Sequence, residues 1–166
     1  MFYIQLLGIL AFCILVLSFY KKNTMTILTY QITSNFIYAV HYFLLGGLSG
    51  AFCSVIGMIR NIVFMKIKNN KLIWTIIFLS LYITVTVIFY ENFYSLLPMM
   101  GNSSYLISMT NGSRKALLIG GIVNSIMWLI YSIFVGSYAC ICTESIIIIS
   151  NTIQLLKLID LRAKKC

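Results

Sequence analysis

Charged residues are scarce in this chain of 166 residues: 9% are Asp, Glu, Lys or Arg, whereas 61% are hydrophobic. The mean hydropathy is +0.99. A soluble domain carries about 25% charged residues, so this composition could not cover the surface of a globule in water. A soluble enzyme, a nucleic-acid-binding domain and a disulfide-rich secreted module are therefore excluded, and the lipid bilayer is the expected partner.

Histidine, proline and acidic residues are scarcer still, with one His, one Pro and three Asp or Glu. The sequence places no cluster of metal ligands together and no nucleophile beside a base, so we predict no enzyme activity, no cofactor and no metal site. The five cysteines lack the spacing of metal ligands and are expected to be inert thiols. An external bridge from Cys53 to Cys140 or Cys142 is the alternative.

The basic residues indicate a topology. A spanning helix needs roughly 20 apolar residues, and seven such stretches lie near residues 2–20, 25–45, 49–66, 72–89, 93–110, 116–135 and 138–157. Basic residues fall in alternate connections and in the tail. With the N-terminus outside and the C-terminus cytoplasmic, eleven of the twelve Lys and Arg residues satisfy the positive-inside rule. The exception, Arg60, lies within the third helix. We therefore predict an all-α membrane protein with seven spanning helices, and the net charge of +9 reports topology.

The chain also resembles itself after a shift of 90 residues. The shift places Leu6-Leu7 on Leu96-Leu97, Tyr38 on Trp128, His41 on Tyr131, Gly46 on Gly136 and Asn61 on Asn151. Helices one to three then fall on helices five to seven, and helix four is left as a connector. A single connector makes the two triplets parallel, which predicts a 3+1+3 repeat: a first bundle at residues 1–71, a connector at 72–90 and a second bundle at 91–166.

Seven spans in this order resemble the SWEET and PQ-loop superfamily of carriers, whose parallel repeats bind substrate near the midplane. The chain is also similar to the bacterial inner-membrane YgjV family over nearly its whole length. The likeness is carried by His41–Gly46, Ile59–Asn61, Leu96–Pro98 with Gly101, and Glu144–Asn151. This resemblance implies a multi-pass protein of the cytoplasmic (inner) membrane and does not name a substrate.

In SWEET carriers an aromatic residue on the second helix of each repeat, with an Asn sixteen positions later, grips the sugar. The same spacing here joins Tyr38 to Ser54 and Trp128 to Glu144. The aromatic residues of that pattern are kept, and both Asn positions are replaced. Because the face of an indole attracts cations, a carboxylate beside Trp128 favours a cationic or proton-coupled solute over a neutral sugar.

Two further Asn positions follow on the same helix faces. Asn61 and Asn151 come seven residues after Ser54 and Glu144, which is about two helical turns. Helix five adds Asn102, so the second triplet is expected to form the more polar wall. Hydrogen bonds between helices are the alternative role for Asn61 and Asn151. The predicted substrate-binding residues are Trp128, Glu144, Asn151, Tyr38, Ser54, Asn61 and Asn102.

Three ionisable residues lie within predicted spans: His41, Arg60 and Glu144. Such groups require partners or a water-filled cavity. Arg60 is expected to pair with Glu144, to bind an anionic substrate, or to snorkel toward the cytoplasmic side. His41 is expected to fix the Gly46-Gly47 turn by a hydrogen bond, with proton sensing as the alternative.

Two hinge positions are predicted. Pro98 is placed a third of the way down helix five, where its missing N–H should kink the helix. Gly8 stands at the matching place in the first triplet.

These features predict a small-solute transporter that works by alternating access between the two triplets, with Glu144 as the site of linkage to protons or another cation. Two alternatives stay open: a non-transporting membrane partner or sensor, and a carrier of a vitamin or nucleoside, as in similar 3+1+3 vitamin carriers. The sequence also leaves open the identity of the small-molecule substrate and whether the chain forms a homo-oligomer.

Overall fold

The computed structural model describes residues 2–19, 24–67 and 69–163. These residues form an all-α fold, as predicted, with helix boundaries close to those expected. The seven helices are α1 (Phe2–Phe19), α2 (Thr24–Leu44), α3 (Leu48–Lys66), α4 (Lys71–Ile88), α5 (Leu96–Asn111), α6 (Arg114–Val135) and α7 (Tyr138–Ala163). The predicted orientation rests partly on basic residues that lie outside the described residues: Lys21, Lys22, Lys68, Lys164 and Lys165. The side chain of Arg162 also lies outside the described part of the structure.

Four of the described helices are long and apolar enough to cross a membrane: α3, α4, α6 and the Tyr138–Asp160 part of α7. Helix α1 is apolar over Phe2–Leu17 but shorter. The outward faces are apolar, with Val87 and Phe2 both 71% exposed, whereas Ser34, His41 and Asn102 are buried. A water-soluble protein shows the opposite distribution, so this surface suits lipid.

The helices form a ring. Each of α1, α2 and α3 packs against its neighbour in sequence, as do α5, α6 and α7, and contacts of α1 with α7 and of α3 with α5 close the circle. Helix α4 packs chiefly against α3 and α5. Six helices therefore surround a central space, and α4 lies outside them.

The turns that follow α2 and α6 have the same structure. Gly46 and Gly136 have φ values of +82° and +74°, the left-handed region that favours glycine at a helix end. The N–H of Gly46 donates to Phe43 O and that of Gly47 to Tyr42 O, at 3.1 and 2.9 Å. The equivalent bonds after α6 run from Gly136 to Ile133 and from Ser137 to Ser132, at 3.3 and 2.9 Å. Every one of these positions differs from its counterpart by 90 residues.

Pro98 lies elsewhere in its helix than the sequence suggested. A 3₁₀ turn at Phe93–Ser95 precedes α5, which begins at Leu96, so Pro98 is in the first turn. The first four N–H groups of a helix have no intrahelical acceptor, and proline there removes no bond. The expected kink a third of the way down the helix is therefore wrong. The change from 3₁₀ to α geometry comes just before Pro98.

Gly8 is a site of close helix packing. A Cβ atom added there would lie 2.7 Å from Ala139 Cβ on α7 and 3.0 Å from His41 Cε1 on α2. Small residues let membrane helices approach closely. The structure thus gives Gly8 a packing role, and its predicted part as a hinge stays a prediction.

Candidate functional site

A cavity of about 590 Å³, lined by polar as well as apolar side chains, lies inside the helix ring. Its walls come from α1, α2, α3, α5, α6 and α7, and no described residue of α4 lines it. Small-molecule sites usually measure about 300–1,000 Å³, so the cavity is large enough for a small solute.

The structure brings all seven predicted substrate-binding residues to this one cavity: Tyr38, Ser54, Asn61, Asn102, Trp128, Glu144 and Asn151. Arg60 also lines it, whereas His41, Gly8 and Pro98 do not. Because these residues line the same cavity, a single ligand could contact them together. Binding by these residues stays a prediction.

The lining residues are matched between the two halves of the chain. Sixteen of the twenty-two described lining residues form pairs separated by 90 positions. The eight pairs are Leu15 with Tyr105, Gln31 with Gly121, Asn35 with Ser125, Tyr38 with Trp128, Ser54 with Glu144, Gly57 with Ile147, Arg60 with Ser150, and Asn61 with Asn151. The two triplets therefore present equivalent helix faces to the cavity.

Aromatic rings close one end of the cavity. The ring centroid of Tyr42 lies 5.3 Å from that of Trp128 and 5.5 Å from that of Tyr131, and all three side chains are buried. The hydroxyls of Tyr42 and Ser132 are hydrogen-bonded at 2.8 Å, and those of Tyr38 and Thr143 at 2.7 Å. Both hydrogen bonds join α2 to the second triplet, so this closure is a contact between the two halves.

His41 belongs to the same closure. Its Nε2 lies 2.7 Å from Ser137 Oγ at the start of α7, and its Nδ1 lies 2.8 Å from Ile4 O. At the matching position Tyr131 accepts hydrogen bonds from Gly50 N at 3.0 Å and Ser49 Oγ at 3.3 Å, near the start of α3. The expectation that His41 fixes the Gly46-Gly47 turn is wrong. It bonds Ser137 in the equivalent turn of the other triplet, because α2 faces α7 across the ring.

The opposite end of the cavity is open. Lining residues there are accessible, with Ser150 and Gln154 exposed on α7, while Cys140 at the closed end is buried. From Cys140 to Gln154 the cavity follows α7 for about 21 Å at 1.5 Å per residue. Lys66 and Arg114 lie at the open end, where α3 stops and α6 starts.

Arg60 is buried in the wall, with 5% of its surface exposed. Its Nε and Nη2 donate to Asn61 Oδ1 at 3.2 and 3.1 Å, and its Cζ lies 5.2 Å from the ring centroid of Tyr105. Nη1 is buried without a hydrogen-bond partner. A buried side chain does not snorkel to solvent, so that expectation is wrong.

Glu144 lies across the cavity on α7, with Ser125 of α6 beside its carboxylate. Its Oε2 is buried without a hydrogen-bond partner. The predicted pair with Arg60 is absent: within residues 2–19, 24–67 and 69–163 no ion pair joins the two side chains, and each keeps an unsatisfied atom. An uncompensated buried charge costs several kcal/mol, so both groups are suited to a charged ligand.

No metal centre was predicted. Among the described residues, no three His, Cys, Asp or Glu side chains lie together in a group that could hold a metal ion.

The sequence profile of the family Imp-YgjV, described as bacterial inner membrane protein, matches residues 2–162. The chain belongs to this family. It is accordingly a multi-pass protein of the bacterial inner membrane, in agreement with its apolar helices. No curated protein and no solved structure matches the chain. The Imp-YgjV description gives a location and no activity, so function has to be argued from the cavity.

Several cavity residues of this Imp-YgjV chain escaped the sequence analysis. Tyr42, Tyr105 and the polar residues near the middle of α2 and α6 belong to this group. The sequence did contain a signal for the polar residues of α2 and α6, because Ser34-Asn35 and Asn124-Ser125 are polar dipeptides at matching places in otherwise apolar helices. Tyr105 carried no such signal, because Leu15 occupies the equivalent position.

Proposed function

We propose that this chain carries a small polar solute across the inner membrane by alternating access between two three-helix bundles. The observation that carries the proposal is the cavity lined in matched pairs from both triplets, closed at one end and open at the other. A site enclosed by two equivalent halves can be exposed to either side when one half rocks against the other.

The proposal includes seven spans in a parallel 3+1+3 arrangement, with the N-terminus outside and the C-terminus cytoplasmic, as in the SWEET and PQ-loop carriers. Support comes from the equivalent turns at Gly46 and Gly136 and from α4, which packs against α3 and α5 outside the ring. The basic residues Lys66, Arg114 and Lys115 lie at the open end, which the positive-inside rule assigns to the cytoplasm. In this conformation the cavity then faces inward.

The contacts at the closed end suit a gate. They consist of side-chain hydrogen bonds between triplets, such as Tyr42 to Ser132, Tyr38 to Thr143 and His41 to Ser137. Hydrogen bonds between membrane helices contribute about 0.6 kcal/mol each on average, so a few of them amount to about 2 kcal/mol. Differential binding of a solute by the two conformations can offset an energy of that size.

Glu144 is proposed as the site where transport is linked to a proton or another cation. The unpartnered Oε2 atom and the presence of Trp128 in the same wall support this role. A carboxylate inside a membrane cavity is a common element of proton relays in transporters.

The test is uptake of a broad panel of small solutes into liposomes that contain the purified protein. Saturable uptake of at least one solute is expected, with a large loss in Glu144→Gln and Trp128→Ala. Glu91→Gln, at an exposed residue outside the helices, is the matched control and should keep full activity. Absence of saturable uptake for every solute would favour a membrane partner or sensor. Uptake that neither cavity substitution affects would reject the proposed site.

A further inference from the structure

We infer that the solute of this cavity is a small zwitterion, whose acidic group binds at Arg60 and Asn102 and whose ammonium group binds at Glu144 and Asn124. The inference rests on the proposed function in treating the ligand as a transported solute. It goes further by naming the solute's chemical class, and it makes the solute's own ammonium group the cation that Glu144 binds.

A cluster of hydrogen-bond donors without acceptors lies at and beside the cavity wall. Arg60 Nη1, Asn102 Nδ2 and the hydroxyl of Tyr82 are buried and have no hydrogen-bond partner. The three side chains are 5%, 6% and 0% exposed. Arg60 of α3 and Asn102 of α5 line the cavity, whereas Tyr82 of α4 is outside its lining and lies next to Gly57. The guanidinium and the amide N–H group that line the cavity match a carboxylate or a similar acidic group.

Gly57 leaves open space beside these three side chains. A Cβ atom added there would lie 3.7 Å from Tyr82 Oη, 3.9 Å from Arg60 Nη2 and 3.9 Å from Asn102 Oδ1. The three side chains thus surround the bare face of one glycine that lines the cavity. The ring of Tyr105 below the guanidinium and the bonds to Asn61 fix the direction of Arg60.

Two lining residues supply acceptors without donors. Glu144 Oε2 and Asn124 Oδ1 are buried and unpartnered, and they come from α7 and α6. Both residues line the cavity together with Trp128. A carboxylate, an amide oxygen and an indole face are the groups that bind an ammonium ion.

The two charges stay apart. On the repeat, Arg60 is equivalent to Ser150, six residues beyond Glu144, which corresponds to about 9 Å along the helix axis. A ligand with both charges would compensate both groups at once. A neutral sugar would compensate neither, and a solute with one charge would leave the other group uncompensated.

The experiment measures binding to the purified full-length protein in lipid nanodiscs by calorimetric titration. The probes are glycine, 4-aminobutanoate and 6-aminohexanoate, which are zwitterions of increasing charge separation. Each is compared with its amide, which keeps only the ammonium, and with its N-acetyl form, which keeps only the carboxylate. Glucose serves as the neutral solute. We expect at least one zwitterion to bind at least tenfold more tightly than both of its derivatives and glucose.

Substitutions then assign each charge to its group. The zwitterion should bind to Arg60→Gln no more tightly than its amide binds to the unchanged protein. It should bind to Glu144→Gln no more tightly than its N-acetyl form binds to the unchanged protein. Arg114→Gln and Glu91→Gln, both at exposed positions, should leave binding unchanged. Asn102→Asp replaces the amide N–H donor by a carboxylate oxygen, which is an acceptor of the same size. We expect this variant to lose binding, and it tests the donor cluster even if Arg60→Gln does not fold.

Failure of every zwitterion to bind, or tighter binding of a singly charged probe or glucose, would overturn the inference. Unchanged affinity in both Arg60→Gln and Glu144→Gln would do the same. Liposome uptake separates this result from the proposed function. Zwitterion binding without uptake would reject transport and keep the inference, whereas uptake confined to neutral solutes would keep transport and reject the inference.

Discussion

The first three helices and the last three share their turns and their lining positions but differ in charge. Arg60 of α3 is matched by Ser150, and Glu144 of α7 is matched by Ser54. The backbone match provides an enclosed space with two equivalent walls, and the unmatched charges make those walls chemically different. The matched positions set the shape of the cavity, and we expect solute selectivity to depend on the positions that do not match.

The largest effect is expected from removing both unmatched charges. Arg60→Gln and Glu144→Gln should each weaken solute binding by about 2 kcal/mol or more, a loss of about 30-fold, because each removes a buried charge from the binding wall. Since no ion pair joins the two side chains in the described structure, the losses should add in the double variant. Affinity titrations of the four proteins check this. If the double variant bound the solute as tightly as the single variant with the lower affinity does, the two residues would act as a pair.

The next comparison concerns Gly8 and Pro98, which occupy equivalent positions. Gly8→Ala should lower the free energy of unfolding by about 1–3 kcal/mol, because the added methyl would overpack the contact with Ala139 and His41. Pro98→Ala should change stability by less than about 1 kcal/mol, since a first-turn residue has no required N–H acceptor. Denaturation in detergent, followed by circular dichroism, measures both. Equal destabilisation would contradict the packing role given to Gly8.

The two glycine turns should respond alike. Gly46→Ala and Gly136→Ala each place a Cβ atom at a positive φ, with open space around it, and should cost about 1 kcal/mol. The same denaturation measurement applies, with Gly57→Ala as a control that has ordinary packing distances and a negative φ. If the two variants differed by several kcal/mol in their loss of unfolding free energy, the two turns would be equivalent in backbone structure only.

A similarly small effect is expected at the closed end. Tyr131→Phe removes the hydroxyl that accepts from Gly50 N and should destabilise the fold by about 1 kcal/mol. Tyr42→Phe removes the bond to Ser132 and should have a similar effect on stability. Because both bonds join the two triplets, each variant should also make the cavity more accessible to a thiol reagent from the outer side. Unaltered accessibility would argue against a gate at this end.

Much of this arrangement was predictable from the sequence because lipid imposes strong constraints. The apolar runs predicted the seven helices. The match after a shift of 90 residues, together with the seven-residue spacing, predicted that Asn61, Asn151 and Glu144 share one cavity. Side-chain partners were not predictable. Arg60 bonds its neighbour Asn61 and lies over Tyr105, and His41 reaches Ser137, because rotamers and helix packing decide those contacts. The start of α5 was misplaced since a 3₁₀ turn and an α-helix have similar apolar patterns.

The most direct test of the carrier mechanism is the accessibility of one cavity position from each side of the membrane. Ser54→Cys would be built in a protein whose native cysteines are replaced, and a membrane-impermeant thiol reagent would be added to either side of oriented vesicles. We predict labelling from the cytoplasmic side without solute, and labelling from the outer side as well when the tightest-binding solute is present. Labelling from a single side under every condition would contradict alternating access.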